Sequence, residues 1–348
     1  MSLKEIFGVE IPIVQAPMAG VQGSALAIAV SNAGGLGSLP CAMLSLDTLS
    51  DELRTITAQT SRPYNVNFFC HDMPDPSQKA EMIWRTALSP YYQDHNINPD
   101  AIPVGSSRVP FSSEVVDVLE EFRPPVVSFH FGLPSDELLV RVKAFGAKVI
   151  SSATTLEEAL WLEEYGADVI IAQGLEAGGH RGMFLSRDLN SQVGTFALLP
   201  QIVQAVKVPV IAAGGIADAG GVVAAMELGA SGVQMGTAYL LCHEALTSQI
   251  HRAALKSEAA KHTALTNIFT GRPARAIVNF AMKELGPIHY GIPEFPLAAS
   301  AITPLRAAME AKGQGDFSPL WAGQNVTGCK VTSAAELTRE LAMGLLQA

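Results

Sequence analysis

Short apolar runs alternate with segments of helical spacing over the first 240 residues of the chain. Eight runs rich in β-branched or small residues are predicted strands, at 11–18, 35–39, 64–69, 126–131, 148–153, 169–174, 209–215 and 232–240. Candidate helices lie between them at 24–32, 46–60, 113–122, 135–145, 155–165, 195–206 and 218–228. Nearly continuous apolar strands are typical of a parallel sheet covered on both faces. The pattern therefore predicts an α/β fold of the (β/α)8 TIM-barrel type.

Four of the predicted helices end on the same signal, a glycine just before the next strand. The glycines are Gly34, Gly146, Gly166 and Gly229. Glycine adopts the left-handed conformation that ends many helices, so the repeated signal supports the strand count. The alternative, a doubly wound open sheet, carries G-x-G-x-x-G after its first strand in dinucleotide-binding proteins, and this chain lacks that fingerprint.

The strand count is complete at Leu240, which leaves 348 − 240 = 108 residues. Segments 244–260, 305–311 and 334–346 have helical spacing, whereas 270–304 is rich in proline and glycine. We predict a barrel over 1–241, a small, mainly helical subdomain over 242–323 that acts as lid or substrate domain, and a terminal helix over 324–348 that packs back on the barrel. The long connection 70–125 is expected to contribute to the lid.

Composition and charge narrow the classes of function. Lys and Arg total 23 against 33 Asp and Glu, a formal charge of −10, so no basic excess exists to neutralise nucleic-acid phosphates. The longest uncharged stretch, 11–46, is broken by prolines and glycines, and the N-terminus lacks the order of a signal peptide. We expect no nucleic acid, no membrane span and a cytoplasmic location. The four cysteines lack CxxC spacing and predict reduced thiols, and no motif predicts a metal.

Polar and glycine-rich residues interrupt the apolar pattern where the predicted strands end, and this edge carries the chemistry in TIM barrels. Gly214-Gly215 and Gly236-Thr237 follow strands seven and eight. Their placement matches the phosphate site of such barrels, in which backbone N–H groups hold the anion. We predict a bound phosphate group; the alternative is that these glycines only form tight turns.

Other strand ends favour flavin mononucleotide (FMN) over a sugar phosphate. Asn67 and Gln173 offer amide groups to the uracil-like edge of a flavin, as does the exposed backbone of the turn Ala16-Pro17-Met18. Met18 would pack against the face of the ring. The sequence therefore predicts FMN as the cofactor.

Two histidines are the candidate catalytic residues. His180 follows Gly178-Gly179 in a loop whose backbone can approach a ligand closely, and a histidine there can act as a general base near neutral pH. The alternative for His180 is a surface-loop residue. His130 lies in the fourth strand, where alternation points it away from Phe129 and Phe131. It is either a structural residue that lines the barrel or a substrate contact.

Charged residues near this loop suggest how the loop and the tail are held. Glu176 and Arg181 flank the loop and are expected to pair with each other, unless Arg181 meets an anionic substrate. Arg272 and Arg275 are predicted to anchor the tail to the barrel or to a second subunit, and the charged fraction of 16% is compatible with a homodimer. His71 lies beside the end of the third strand. We expect it at most to contact residues that line the site, and not the ligand itself.

Taken in order, these motifs resemble those of the nitronate monooxygenases, formerly called 2-nitropropane dioxygenases, in a class I-like form. The resemblance covers the barrel and much of the tail. Its motifs are Gln15-Ala-Pro-Met-Ala-Gly, Asn65-Val-Asn-Phe-Phe-Cys, Ser128-Phe-His-Phe-Gly-Leu-Pro, Gln173-Gly-Leu-Glu-Ala-Gly-Gly-His-Arg-Gly, Ala213-Gly-Gly-Ile, Gln234-Met-Gly-Thr-Ala and Phe269-Thr-Gly-Arg-Pro-Ala-Arg. Each motif is weak by itself, whereas their order and positions on the predicted barrel are specific.

The resemblance implies an FMN enzyme that oxidises alkyl nitronates such as propionate 3-nitronate, or nitroalkanes, with O2 to a carbonyl compound and nitrite. It also implies that His180 is the catalytic base. With the residues chosen above, the candidate FMN contacts are Ala16, Pro17, Met18, Asn67, Ser152, Gln173, Gly178, Gly179, Gly214, Gly215, Gln234, Met235, Gly236 and Thr237. The family's substrate-lining tyrosines have no clear match here, which leaves substrate preference open. The alternatives are an FMN-dependent NAD(P)H:quinone or enoyl-acyl carrier protein reductase, and a non-catalytic flavin binder.

Overall fold

The computed structural model describes residues 2–103 and 108–346. Over these ranges the strands are β1 (Ile13–Gln15), β2 (Gly37–Pro40), β3 (Tyr64–Phe69), β4 (Val126–His130), β5 (Lys148–Ala153), β6 (Val169–Gln173), β7 (Gly179–His180), β8 (Val210–Ala213), β9 (Gly232–Met235), β10 (Thr263–Thr266) and β11 (Ala274–Ile277). The predicted strand 232–240 was too long, because residues Thr237–Leu241 form a 3-10 helix.

The helices over the same ranges are α1 (Leu3–Phe7), α2 (Ser24–Asn32), α3 (Leu46–Gln59), α4 (Gln78–Asp94), α5 (Ser113–Phe122), α6 (Asp136–Ala144), α7 (Leu156–Glu164), α8 (Thr195–Ala205), α9 (Ala219–Glu227), α10 (Gln249–Leu255), α11 (Phe280–Glu284), α12 (Ala299–Glu310) and α13 (Ala334–Ala342). The seven predicted barrel helices match within one residue at each end. Local capping explains this agreement, since the side chains of Ser45, Thr155 and Asp218 accept hydrogen bonds from the first turns of α3, α7 and α9.

Eight strands form one parallel sheet in the order β1-β9-β8-β6-β5-β4-β3-β2. Its two end strands meet through a parallel bridge between Val14 and Leu36, and the Leu36 N–H donates to the Ile13 carbonyl at 2.9 Å. The sheet is therefore a nearly closed barrel with helices around it, as predicted. The glycines that end α2, α6, α7 and α9 have φ between 93° and 100°, which confirms the predicted left-handed helix ends.

Apolar side chains close the end of the barrel opposite the strand C-termini. Leu3 and Phe7 of α1 pack against Val14, Val126 and Ile211 inside the barrel. A Cβ atom on Gly232 would lie 2.3 Å from the Leu3 side chain, so α1 sits directly on β9. With this end sealed, the strand C-termini are the open edge of the barrel.

The connection between β3 and β4 contains a 17-residue helix, α4, which the sequence analysis missed. Trp84 and Tyr92 of α4 donate hydrogen bonds to the carbonyls of Ala298 and Ala301, at 3.0 and 2.6 Å. The segment 270–304, rich in proline and glycine, contains β11, α11 and the start of α12. The connection and the tail share one apolar cluster beside the barrel mouth.

The segment 244–260 is helical only from Gln249 to Leu255 and as a 3-10 turn from Glu258 to Lys261. Residues after 242 also contain β10 and β11, which pair antiparallel with each other. The terminal helix α13 packs on the barrel side with α2 and α9. The division at 241 and 323 into three domains stays a prediction.

A small antiparallel sheet in the order β10-β11-β7 joins the tail to the loop that follows β6. In this sheet His180 pairs with Ala274 and Gly179 pairs with Arg275. The tail therefore holds the backbone of the candidate catalytic histidine. Among the described residues, no helix combines the length and the apolar character that a membrane crossing requires.

Candidate active site

A cleft opens at the C-terminal ends of the barrel strands and encloses about 1410 Å³ including its solvent-filled mouth. All sixteen predicted site residues line it: Ala16, Pro17, Met18, Asn67, His130, Ser152, Gln173, Gly178, Gly179, His180, Gly214, Gly215, Gln234, Met235, Gly236 and Thr237. Their individual roles stay predictions.

The predicted phosphate turn is a narrow backbone cradle. Gly214 and Gly215 have φ of 116° and 75°, a conformation that side chains rarely adopt. A Cβ atom on Gly214 would lie 2.9 Å from the Thr195 hydroxyl, so a larger residue does not fit. Gly236 and Thr237, at the start of a 3-10 helix, line the same cleft. This donor set suits a phosphate dianion.

The tail completes this cradle, and the sequence analysis missed its residues. The Gly323 N–H donates to the Thr237 hydroxyl at 2.9 Å, and the Asn325 amide donates to the Gly215 carbonyl at 3.1 Å. A Cβ atom on Gly178 would lie 2.5 Å from the Gly323 nitrogen, so loop and tail are in contact. The available signal was the run Trp321-Ala-Gly-Gln-Asn in an otherwise irregular segment.

The predicted pairing of Glu176 with Arg181 was wrong. The Glu176 carboxylate accepts from the Thr195 N–H at 2.9 Å and from its hydroxyl at 2.9 Å, at the start of α8. Arg181 is fully buried and donates to the carbonyls of Gln173 and Gly174, at 2.7 and 2.6 Å. Each charged side chain binds backbone groups at the end of a helix or strand that have no partner within that element. These hydrogen bonds explain why Glu176 and Arg181 do not pair.

Arg181 also does not reach the cleft as an anion ligand, because its side chain is enclosed.

Arg272 and Arg275 anchor the tail to the barrel, which confirms one of the two predicted roles. Arg275 donates to the Leu175 carbonyl at 3.0 Å. Arg272 donates to the Met183 carbonyl, and its guanidinium lies 3.8 Å from the centre of the Phe131 ring.

Gln173 and His130 hold the backbone of the loop that carries His180. The Gln173 amide donates to the His180 carbonyl at 3.0 Å and accepts from the Gly182 N–H at 2.7 Å. His130 Nε2 lies 3.2 Å from the same carbonyl, and its Nδ1 lies 3.2 Å from the Ser152 hydroxyl. Since a carbonyl only accepts, His130 carries its proton on Nε2 and accepts from Ser152 through Nδ1. We interpret both as positioning residues for His180.

The His180 ring lies in the cleft against an aromatic wall. The centre of the ring is 5.3 Å from that of Phe295, 5.5 Å from Trp321 and 6.3 Å from Phe69. Its Nε2 atom is 2.9 Å from the hydroxyl of Thr270 on the tail. His180 is half-buried against this wall, so it is not the surface-loop histidine of the alternative interpretation.

Burial controls the protonation of these histidines. It lowers the pKa of His180 well below 6.5, and the charge of Arg108, which also lines the cleft, adds to this effect. Burial likewise lowers the pKa of His130 to about 3. Both imidazoles are therefore neutral at pH 7, and a neutral imidazole is the form that can accept a proton.

His71 lies behind the aromatic wall, in a second cavity, and its ring contacts Phe295 with 4.8 Å between centres. It is 4% exposed, and neither ring nitrogen has a hydrogen-bond partner among the described residues. Burial lowers the pKa of His71 to about 4. His71 thus supports the wall from behind, in agreement with the sequence analysis.

Replacing His71 with phenylalanine is expected to stabilise the protein, because an unsatisfied buried polar ring becomes an apolar ring of similar shape. The gain at pH 7 is about 1 kcal/mol. A folded-state pKa below the unfolded value of 6.5 means that stability falls as pH drops from 6.5 towards 4. The variant loses this penalty, so its advantage grows at pH 5 by at most about 2 kcal/mol. Urea unfolding at both pH values tests this; an advantage that shrinks on acidification contradicts it.

Comparison with known proteins agrees with this geometry. The family model described as nitronate monooxygenase matches residues 1–344. A nitronate monooxygenase of Paraburkholderia phytofirmans is 40% identical over 99% of this chain and 95% of its own length. One from Pseudomonas aeruginosa is 40% identical over 97% of this chain and 96% of its own length.

Solved structures show the same likeness. A nitroalkane oxidase from Streptomyces ansochromogenes superposes with a TM-score of 0.89 at 37% identity, covering 100% of this chain and 98% of its own. FabK from Thermotoga maritima superposes with a TM-score of 0.74 at 26% identity, covering 100% of this chain and 96% of its own. Nitronate monooxygenases are flavoenzymes that oxidise nitronates and nitroalkanes. With this fold, this cleft and these relatives, the chain belongs to the nitronate monooxygenase family.

Proposed function

We propose that this chain is an FMN-dependent enzyme that oxidises alkyl nitronates, and nitroalkanes after their deprotonation, with O2 to a carbonyl compound and nitrite. The observation that carries the proposal is one cleft with a backbone cradle and a neutral, half-buried imidazole, that of His180, in its wall. Membership of the family and the likeness to a nitroalkane oxidase support it.

The residues present fit FMN. Gly214, Gly215 and Thr237 would hold the phosphate through backbone N–H groups, and the lack of room for a Cβ at Gly214 matches a closely held ligand. Asn67 lines the cleft and donates its amide N–H to the Ser128 hydroxyl at 3.0 Å, so its amide oxygen would be the group that accepts from the flavin. Met18 lines the cleft beside Gly236 and would pack on the ring face.

Bound FMN would supply the redox chemistry, as acceptor of electrons from the nitronate and donor to O2. The protein supplies orientation, exclusion of water and proton transfer. Phe69 and Trp321 line the cleft next to His180, and their apolar rings would limit the water around it. A water-poor cleft strengthens every charge interaction inside it.

His180 would remove the α-proton of a neutral nitroalkane, which converts it into a nitronate anion. Half-buried and neutral at pH 7, it can accept this proton, but its low pKa makes it a weak base by itself. Arg108 and Arg272 lower that pKa through their positive charge. Of the two, Arg108 lines the cleft, and its charge would stabilise the nitronate anion as it forms and so offset the weak basicity.

The cofactor and reaction class are tested by spectroscopy. The purified protein is expected to be yellow and to release on heating a chromophore that elutes with FMN. Under argon, ethyl nitronate is expected to bleach the flavin within the time of one turnover. NADH is expected to leave the flavin oxidised over the same period. A colourless protein that fails to quench FMN fluorescence contradicts the cofactor assignment. Rapid bleaching by NADH but not by the nitronate would establish the reductase alternative instead.

A further inference from the structure

The hydroxyl of Thr270 lies against the catalytic ring but outside the cleft. Thr270 is 2% exposed, and its Oγ1 is 2.9 Å from His180 Nε2 and 3.4 Å from the carbonyl oxygen of Arg272. The backbone of His180 is held independently, by Gln173 and His130 at its carbonyl and by β11. The Thr270 hydroxyl is therefore placed to act on the ring and not on the loop that carries it.

A threonine hydroxyl has one hydrogen to donate, so its two neighbours decide the direction of both hydrogen bonds. If the hydroxyl donates to the Arg272 carbonyl, it accepts from His180 Nε2–H, and two hydrogen bonds form. If it donates to His180 Nε2 instead, the carbonyl of Arg272 loses this partner and one bond forms. The arrangement with two bonds is favoured because Thr270 is buried and an unmade bond costs free energy there.

We propose that Thr270 holds His180 in its Nε2–H tautomer and thereby makes Nδ1 the atom that accepts the substrate proton. The ring lines the cleft, and no described residue makes a hydrogen bond to Nδ1. Thr270 is a positioning residue in this scheme. The inference rests on the proposed role of His180 as base.

The transfer of a proton from the nitroalkane to His180 conserves charge, and one bond breaks as another forms. The α-carbon–hydrogen bond of the nitroalkane breaks, its electron pair stays on the substrate as the nitronate, and a hydrogen–Nδ1 bond forms. His180 becomes an imidazolium whose Nε2–H still donates to Thr270. That hydrogen bond becomes charge-assisted and stronger, so Thr270 stabilises the ion pair that the step creates.

The tautomer can be measured without turnover. In FMN-loaded protein labelled with 15N-histidine, the His180 resonances, identified by their loss in His180→Asn, are expected to show a protonated Nε2 and an unprotonated Nδ1 at pH 7. A protonated Nδ1 in the wild-type protein overturns the proposal. This readout decides the question even if a Thr270 variant does not fold or if the protein oxidises no nitro compound.

Two substitutions separate the hydroxyl from the shape of the side chain. Thr270→Ser keeps the hydroxyl and is expected to retain kcat/KM for nitroethane within about threefold, whereas Thr270→Val loses about 10- to 100-fold. On preformed ethyl nitronate, which needs no base, Thr270→Val should change less than about threefold. Thr247→Val is the matched control, because the buried Thr247 hydroxyl has no hydrogen-bond partner among the described residues.

The pH profile gives a direction that general disruption would not produce. Loss of the hydroxyl destabilises the imidazolium, so the acid limb of kcat/KM for nitroethane should move to lower pH in Thr270→Val. The groups that act on His180, namely Arg108, Arg272, His130 and His71, are unchanged by this substitution. A distortion that admitted water would move the limb up towards 6.5 and overturn the proposal. Equal losses on nitroethane and its nitronate would also overturn it.

Discussion

Replacing His180 with asparagine is expected to lower kcat/KM for nitroethane about 100- to 10,000-fold, the range of general-base catalysis. Oxidation of preformed ethyl nitronate should fall less than about tenfold, since the substrate has already lost its proton. Asparagine keeps the backbone carbonyl that Gln173 and His130 hold, so the loop has no reason to move. Steady-state oxygen consumption with each substrate measures both values.

The matched control for this experiment is His262→Asn, which changes an exposed histidine on the tail and should leave both rates unchanged. The flavin content of each variant has to be equal for the comparison. Equal losses with nitroethane and with ethyl nitronate would contradict the assignment of His180 as base. They would show that His180 acts in binding or in placement of the substrate.

Replacing Arg181 with methionine is expected to destabilise the protein by about 3–5 kcal/mol, which is among the largest effects of a single substitution. Arg181 is fully buried and donates to two carbonyls at the end of β6 and to the Gln192 side chain at 2.9 Å. Methionine fills similar volume but satisfies none of these acceptors. Because the two carbonyls belong to Gln173 and Gly174, the catalytic loop should also loosen and flavin affinity should fall.

Guanidinium unfolding of the apo- and holoprotein measures both effects. Arg54→Met is the control, since Arg54 forms an exposed ion pair with Asp51 at 2.8 Å with 61% of its side chain accessible. Its loss should change the free energy of unfolding by less than about 1 kcal/mol. If Arg181→Met unfolds at the same denaturant concentration as Arg54→Met, the buried arginine does not have the structural role described here.

Local signals explain where sequence reasoning succeeded and where it did not. The barrel helices matched because capping side chains and glycines mark their ends within a few residues. Helix α4 was missed although Trp84, Leu88 and Tyr92 lie on one face at a spacing of four, because Pro90 and the charged residues around them obscured a narrow apolar stripe. Only packing against α12 makes that stripe a buried face.

At the candidate site, too, sequence reasoning succeeded for some features and failed for others. Sequence reasoning placed most of the sixteen candidates at strand ends, and the common edge of a parallel barrel brings such residues together. It did not reveal that Gly323 and Asn325 complete the phosphate cradle, since they lie more than 80 residues beyond Thr237 along the chain. It also paired Glu176 with Arg181, whereas Glu176 accepts from the backbone of Thr195 and Arg181 donates to backbone carbonyls.

The amino-acid order by itself determined the number of barrel strands, the ends of their helices and the identity of the residues at the mouth, because these depend on periodicity and on neighbours a few positions away. The tertiary structure alone decided what each polar group binds. The tautomer of His130, the contact of His180 with Thr270 and the anchoring of Arg181 all depend on groups from distant segments. Hydrogen bonds are short and directional, so their partners follow from three-dimensional placement and not from spacing along the chain.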